Sequence, residues 1–442
     1  MISKKKLLMF TGDVVVFYIS FFGALFVRSG LQFSFSWQDQ IFSFSILYIA
    51  WIIIFFIAGL YDLELAKNNI KFYSLLFKSL IACTIISVLV FYFGPYVFHQ
   101  IDIAPKRILL IHIIIMGALI YFWRKWLNRI LILPRMQENI IIIGNNQKAK
   151  SLKKIIKLNP QWGYAIKKII SKNNNKLKKI IQDTKSQTLI LTINPHLSPS
   201  TAKTVFKCLP LGCKTLNFTD FYERLIKKIH ISSISNVWFL ENLKNGQRRL
   251  YEFGKKSLDL IICFLIAVIS APFCLLIAVL IKWDSAGPIF YRQIRCGKNN
   301  QKFYLIKFRT MIQNAEKKGP KWTKKNDSRI TKIGFFLRKT RLDELPQIIN
   351  IIKGEMSLIG PRAERIEFVQ ERQKTIPFYS IRHIIKPGVT GWAQIKFPKG
   401  MMPEHAFEKL QYDLYYIKNR SLILDTGIFL RTIKIVLGMK GN

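Results

Sequence analysis

Residues 258–281 read LDLIICFLIAVISAPFCLLIAVLI, and the path of this run decides the fold. The run is longer than the roughly 20 apolar residues that cross a bilayer as a helix. Ser270-Ala271-Pro272 stands at its middle, where proline removes a backbone donor and a serine hydroxyl can satisfy the freed carbonyl. Lys255 and Lys256 precede the run, and Lys282, Arg292 and Arg295 follow it. Positive charge at both ends labels both ends cytoplasmic. A helix that dips in and turns back at Ser270 and Pro272 obeys that rule. A kinked crossing helix breaks it and would carry residues 284–442 outside. The charge pattern therefore predicts a re-entrant helix with everything after it on the cytoplasmic side.

The chain around this run has 442 residues, half of them apolar, yet carries 68 Lys plus Arg against 25 Asp plus Glu, a net charge of +43. A soluble nucleic-acid binder can be that basic, but it would not also hold several long apolar runs. A membrane protein facing anionic lipid and anionic small molecules accounts for both facts, with no nucleic-acid partner. The six cysteines form no CxxC pair and have no histidine at metal-ligand spacing, so reduced thiols are expected rather than disulfides or structural zinc.

Toward the N-terminus, four apolar runs cover residues 7–27, 41–60, 73–98 and 108–123. Lys4 to Lys6, then Lys67 and Lys71, then Arg124, Lys125 and Arg129 mark alternate ends of these runs. The intervening loops carry only Arg28 and the pair Lys106 and Arg107. Four spans with both ends cytoplasmic follow from the charges. The first run follows a basic start but lacks a small-residue cleavage site, so it is expected to be a retained span. Asp13 lies inside that span, where an ionisable residue is either functional or close enough to the interface to reach it.

Residues 139–143, 188–193 and 214–218 read as strands alternating with polar helical stretches, with a further strand at 165–170. This is the pattern of a small doubly wound sheet. The segment Gly144-Asn145-Asn146-Gln147-Lys148-Ala149 keeps one glycine of the dinucleotide fingerprint, and no acid follows the second strand to hold a ribose. A scaffold or regulatory module is the expectation.

The stretch 338–362, RKTRLDELPQIINIIKGEMSLIGPR, sets two adjacent acids among many bases. Asp343 reads as an N-cap, Pro346 as first turn, Ile348, Ile349, Ile351 and Ile352 as an apolar stripe, and Gly354 as the stop. Both carboxylates would stand at the positive end of the helix, a place that favours a bound anion. A plain capped helix is the competing reading.

In order along the chain stand GPIFYRQ (287–293), KFRTM (307–311), LDELPQ (342–347), GEMSLIGPR (354–362) and KPGVTGW (386–392). Together these motifs resemble the bacterial sugar transferases, the monotopic polyprenyl-phosphate sugar-1-phosphate transferases, over residues 250–442. The long N-terminal part is similar to that of undecaprenyl-phosphate glucose or galactose phosphotransferases. The resemblance implies a membrane protein in three parts: a four-helix transmembrane bundle (1–130), a degenerate Rossmann-like α/β domain (131–250), and a mixed α/β catalytic domain (251–442). That last part would carry the re-entrant helix and amphipathic surface helices. It implies a bacterial inner-membrane enzyme facing the cytoplasm that moves a sugar-1-phosphate from a nucleoside-diphosphate sugar to undecaprenyl phosphate. Asp343 is then the nucleophile and Glu344 its partner at Mg2+, with both carboxylates as metal ligands. Lys307, Arg309, Arg338 and Arg362 are the candidate phosphate-binding cations, the arginines by their forked donors.

Ala363 follows Pro361-Arg362 where the family usually has a second proline. His383 and His405 have no expected catalytic part, since a phosphate dianion needs no general base. Tyr412, Tyr415 and Tyr416 before the run 422–437 suggest a surface helix with tyrosines at head-group depth. Two other classes stay open: an inactive membrane-tethered binding protein, and a nucleotide-sugar dehydratase or epimerase on the α/β part. The sequence does not set the oligomeric state, and a homo-oligomer is compatible with it.

Overall fold

The computed structural model describes residues 4–30, 37–97, 106–171, 176–193, 199–243, 249–313, 315, 327–397 and 403–438. The chain divides into two compact units, Met1–Phe221 and Tyr222–Asn442.

The first unit begins with four long helices: α1 (Lys4–Ser29), α2 (Trp37–Ala58), α3 (Ile70–Val97) and α4 (Lys106–Ile130). Phe98, the end of the third predicted run, lies outside the described residues. Each of the four is long and apolar enough to cross a membrane. Phe17, Phe21, Phe44, Trp51, Phe55 and Ile120 form their common core, while Val15, Ile19, Ile49, Phe77 and Ile114 face outward. Polar groups lie inside instead: Asp13, Ser20, His112, Arg124 and Asn128 are fully buried. Apolar outside and polar inside suits a lipid solvent. Asp13 does not reach toward an interface; it pairs with Arg124 and accepts from Trp123 Nε1 at 3.1 Å. Arg124 also donates to the carbonyl of Leu60 at 3.1 Å, so it ties three helix segments together.

After the fourth helix, β1 (Glu138–Ile143), β2 (Tyr164–Ile170), β3 (Thr188–Leu191) and β4 (Lys214–Asn217) form an all-parallel sheet in the order β2-β1-β3-β4. Helices α5 (Gln147–Leu158), α6 (Leu177–Thr184) and α7 (Pro199–Phe206) make the crossovers. Four consecutive isoleucines, Ile140 to Ile143, are buried in the central strand, as a strand covered on both faces requires. The turn after β1 is filled by the chain itself. Asn146 accepts from Ala149 N and donates to Thr192 O, and a Cβ on Gly144 (φ +109°) would lie 2.4 Å from Thr192 Oγ1.

Helix α8 (Phe218–Ile226) carries the chain into the second unit, followed by α9 (Asn236–Asn242) and α10 (Arg249–Asp284). Ile229, Ile231 and Phe239 already belong to the core of this unit. Helix α10 is one element with Pro272 inside it, so Ser270 and Pro272 do not divide it into two helices. A proline costs a helix one donor and bends it, but the remaining hydrogen bonds hold the element together. The N-terminal half of α10 packs into the unit through Cys263 and Asp259, which accepts from Ser357 Oγ at 2.6 Å. The C-terminal end packs through Ile277 and Ile281 against Phe308 and Leu337. Between these anchors Val268, Ile269 and Phe273 are exposed.

Strands β5 (Phe290–Cys296) and β6 (Lys302–Phe308) form an antiparallel hairpin, and β7 (Ser357–Ile359) pairs in parallel with β8 (Gly388–Thr390). Helices α11 (Lys332–Thr340), α12 (Gln347–Ile352), α13 (Ile366–Thr375), α14 (Trp392–Lys396), α15 (Ala406–Asn419) and α16 (Leu422–Leu437) complete the unit. Two of the three tyrosines ahead of α16 are core residues and not head-group anchors, and Tyr415 is half-buried against them. Tyr412 and Tyr416 are buried, and the Tyr416 hydroxyl contacts Ile359 O at 3.1 Å and Asp425 at 2.8 Å. Asp425 is itself buried and takes Lys255 at 3.1 Å and the Tyr251 hydroxyl at 2.8 Å. A tyrosine with a polar partner within reach packs as well inside as at an interface.

Arg124→Ala strands the Asp13 carboxylate inside the helices and is expected to cost about 3–5 kcal/mol. Thermal unfolding in detergent measures it. Adding Asp13→Ala should restore most of the loss, and an equally unstable double variant would show that the two charges are not coupled.

Candidate active site

The candidate site lies in the second unit, where Lys307, Arg338 and Arg362 sit close to one acidic pair. Leu342–Glu344 is a turn of 3-10 helix entered through Arg341, whose φ is +60°. Asp343 is therefore not the N-cap of the following helix. Pro346 holds the cap position of α12, because a proline with its fixed φ starts a helix readily. Helix α12 ends at Ile352, and Gly354 follows with φ +79°, as the sequence anticipates.

Turning through 3-10 geometry sends the two carboxylates to different partners. Glu344 Oε1 accepts from Arg362 Nη2 at 2.9 Å and lies 3.6 Å from Lys307 Nζ. Burial alone would raise its pKa, but Arg362, Lys307 and Arg341 outweigh burial and hold it at about 2. Asp343 is buried, and no hydrogen bond to its carboxylate occurs among the described residues. Burial raises its pKa, Lys307, Arg338 and Arg362 only partly opposing, and Glu344 pushes in the same direction as burial. One acid is thus clamped and permanently ionised. Its neighbour is left open, facing cations.

Those cations come from separate elements. Lys307 stands near the end of β6; burial lowers its pKa, with Glu344 and Asp343 opposing. Arg338, in the last turn of α11, is lowered by burial and supported by Asp343. Arg362 follows β7, and Glu344 raises it. Arg309 is not with them. Its guanidinium donates to the carbonyls of Ala286 at 2.9 Å and Ser285 at 2.7 Å and to Ser285 Oγ at 3.1 Å, capping the end of α10. An arginine fork satisfies the last carbonyls of a helix as readily as a phosphate. Ser270 and Pro272 stand in the middle of α10, and among the described residues no hydrogen bond or ion pair joins their side chains to these groups.

Two features of the site escape sequence reading. The first is backbone contact: a Cβ on Gly388 would lie 2.0 Å from Gly360 N, and one on Gly391 2.2 Å from Gly360 O. These glycines let the loop carrying Arg362 lie directly on the loop of β8, where Arg362 bridges Gly388. The second is Glu364, two residues after Arg362. Buried, it accepts from Lys409 at 2.6 Å and the Tyr379 hydroxyl at 2.5 Å, and pairs with Arg382 at 2.9 Å and with Arg372. Burial would raise it, but Arg382, Lys409 and Arg372 hold it well below the usual range. Arg382 then reaches the carbonyl of Arg362 at 3.1 Å. His383 is buried, with its pKa lowered to about 4 by burial and Arg382, and takes no place at the acidic pair.

The acidic pair fits a hard divalent ion in chemistry. Two carboxylates supply oxygen donors, and one of them accepts no hydrogen bond from the chain. Among the described residues no group of three His, Cys, Asp or Glu is gathered. The rest of a shell would come from phosphate oxygens and water, the usual arrangement for Mg2+.

The profile of the family described as bacterial sugar transferase matches residues 250–439. A UDP-N-acetylgalactosamine-undecaprenyl-phosphate N-acetylgalactosaminephosphotransferase of Aeromonas hydrophila is 43% identical over 188 residues, 42% of this chain and 44% of that protein. A UDP-glucose:undecaprenyl-phosphate glucose-1-phosphate transferase of Xanthomonas campestris is 42% identical over 205 residues, 45% of this chain and 42% of that protein. The match to an exopolysaccharide production protein of Rhizobium leguminosarum is 38% identical over 185 residues, 40% of this chain but 92% of that protein. The chain thus spans less than half the length of the first two relatives and nearly all of the third.

The two buried acids are expected to respond oppositely to loss of charge. Asp343 has a raised folded pKa, so its ionised form costs stability above that pKa and nothing below its unfolded value. Asp343→Asn should raise the melting temperature at pH 7, with the gain fading toward pH 3. Glu364 has a depressed folded pKa, so its stabilisation is full above its unfolded pKa and is lost only in strong acid. Glu364→Gln should cost about 3–5 kcal/mol at pH 7. Thermal unfolding across pH reads both signs, and a shared sign would contradict this assignment.

Proposed function

Because the chain belongs to the bacterial sugar transferase family, we propose that it transfers a sugar-1-phosphate from a UDP-sugar to undecaprenyl phosphate, with Asp343 as nucleophile. The observation that carries this reading is the open, buried Asp343 carboxylate beside a clamped Glu344 and between cations. In the first step an Asp343 oxygen bonds to the phosphorus that bears the sugar, and the bond from that phosphorus to the nucleotide oxygen breaks. A nucleoside monophosphate leaves. In the second step an oxygen of the lipid phosphate attacks the same phosphorus and Asp343 departs as a carboxylate. Splitting the displacement keeps two anionic substrates from having to meet directly.

Lys307, Arg338 and Arg362 neutralise the phosphates as the bonds change. Glu344 stays ionised throughout and holds Arg362 in place. Asp343 and Glu344 would hold a Mg2+ ion, which when bound offsets the charge of the pyrophosphate. The names of the relatives supply the uridine nucleotide and the lipid, and they differ in sugar, N-acetylgalactosamine in one and glucose in another.

The four N-terminal helices are read as spans of the bacterial inner membrane, and α10 as re-entrant, with the catalytic unit in the cytoplasm. What supports the re-entrant path is that both ends of α10 pack into one unit while its middle is exposed apolar surface. A crossing helix would separate those ends by a bilayer. The three-part division at 130 and 250 remains part of this proposal.

Asp343→Asn should abolish release of uridine monophosphate and the covalent phosphosugar adduct, measured with labelled UDP-glucose and UDP-N-acetylgalactosamine. Survival of the adduct removes Asp343 as nucleophile, and the same assay in chelator reads the metal requirement. In intact cells, a single cysteine at Trp283 should resist a membrane-impermeant thiol reagent applied from the periplasm. Labelling from that side would overturn the re-entrant path.

A further inference from the structure

One cation of the candidate site is left without a task by this mechanism. Arg295, one residue from the end of β5, is half-buried, and its guanidinium is satisfied only by neutral oxygens. Nη2 donates to Gln293 Oε1 at 2.5 Å and Nη1 to Ala363 O at 3.4 Å, while Nε is buried with no partner among the described residues. Among the described residues it has no ion pair. The other cations near it do: Arg362 and Lys307 share Glu344, and Arg372 and Arg382 share Glu364. Burial, Arg362 and Arg365 pull the Arg295 pKa down to about 10, and Glu364 opposes them less strongly. It is still charged at neutral pH. A cation withdrawn from water among other cations is unfavourable unless an anion joins it.

Arg295 also lines a small, open recess with Lys307, Gln347, Arg362 and Gly388. Its apolar wall, Leu305 and Met356, strengthens charge–charge attraction inside it. We propose that Arg295 is a phosphate-binding residue of this site and that a substrate phosphate in the recess is its missing counter-charge. This rests on the transferase reading. The phosphate is either that of the departing nucleoside monophosphate or that of the acceptor lipid, and both carry the chemistry that Arg295 lacks.

The test uses the full chain in nanodiscs, with Arg295→Gln and the charge-conserving Arg295→Lys. If the nucleotide phosphate sits here, Arg295→Gln weakens binding of uridine monophosphate roughly tenfold or more, the scale of one charged hydrogen bond. If the lipid phosphate sits here, the KM for undecaprenyl phosphate rises by a similar factor while adduct formation from UDP-sugar is unchanged. Arg295→Lys should recover part of either loss. Both constants staying within about twofold of the unsubstituted protein, with no difference between the Gln and Lys variants, overturns the proposal. A readout independent of variant folding is modification of the unsubstituted protein by an arginine-selective dicarbonyl. Inorganic phosphate or uridine monophosphate should protect Arg295 and not the exposed Arg292, and equal modification with and without anion also overturns it. Failure of the transferase reading looks different: no donor yields uridine monophosphate, yet inorganic phosphate still protects Arg295.

Discussion

The buried carboxylate of Glu364 is the constraint on which the geometry of the second unit depends. One oxygen pair gathers Arg372 from α13, Arg382 and Tyr379 from the turn before β8, and Lys409 from α15. Arg382 extends the network to Asp413 at 3.0 Å and to the carbonyl of Arg362 at 3.1 Å. Ions this deep are retained only with several partners, since each withdrawal from water is expensive. The consequence is local rigidity two residues from Arg362, in a loop where Ala363 stands in place of a second proline. Charge pairing here does for the loop what ring stiffness would otherwise do.

From that anchored loop the site is assembled by contact between loops and not by any one element. Gly360, Gly388 and Gly391 allow backbone to lie on backbone, which brings Arg362 over the acidic pair. Glu344 then uses its charge on Arg362 and Lys307, so Asp343 keeps its own. The two acids are neighbours in sequence, yet their environments push them apart in pKa, a pattern common where two carboxyl groups divide one task. Arg309 shows the opposite outcome: a motif cation whose fork is consumed by the end of α10.

The N-terminal helices follow the same logic of pairing in a different solvent. Asp13 was readable as an ionisable residue in an apolar run, but its partner Arg124 is more than a hundred residues away. Arg124 reads in sequence as a cytoplasmic flank of the fourth run. In the fold it is fully buried, because an acid inside the helix group draws it in. Tyr416 and Asp425 repeat the lesson in the second unit, where a tyrosine that reads as a head-group anchor is satisfied by an acid in the core.

Several things could be read from residues alone: the apolar runs, the parallel α/β pattern, the order of the five motifs, and two adjacent acids, Asp343 and Glu344, set among cations. These depend on composition, periodicity and short-range spacing, which one strand of sequence carries in full. Tertiary structure decided that Asp343 sits in a 3-10 turn, that Glu344 is the clamped acid, that Arg309 is a cap, and that Arg295 and the Glu364 network lie beside Arg362. Apart from the local 3-10 turn, these turn on partners brought together from separate elements or on how close two backbones come. Charge and type are written along the chain, but which cation meets which acid is set by the packing that removes both from water.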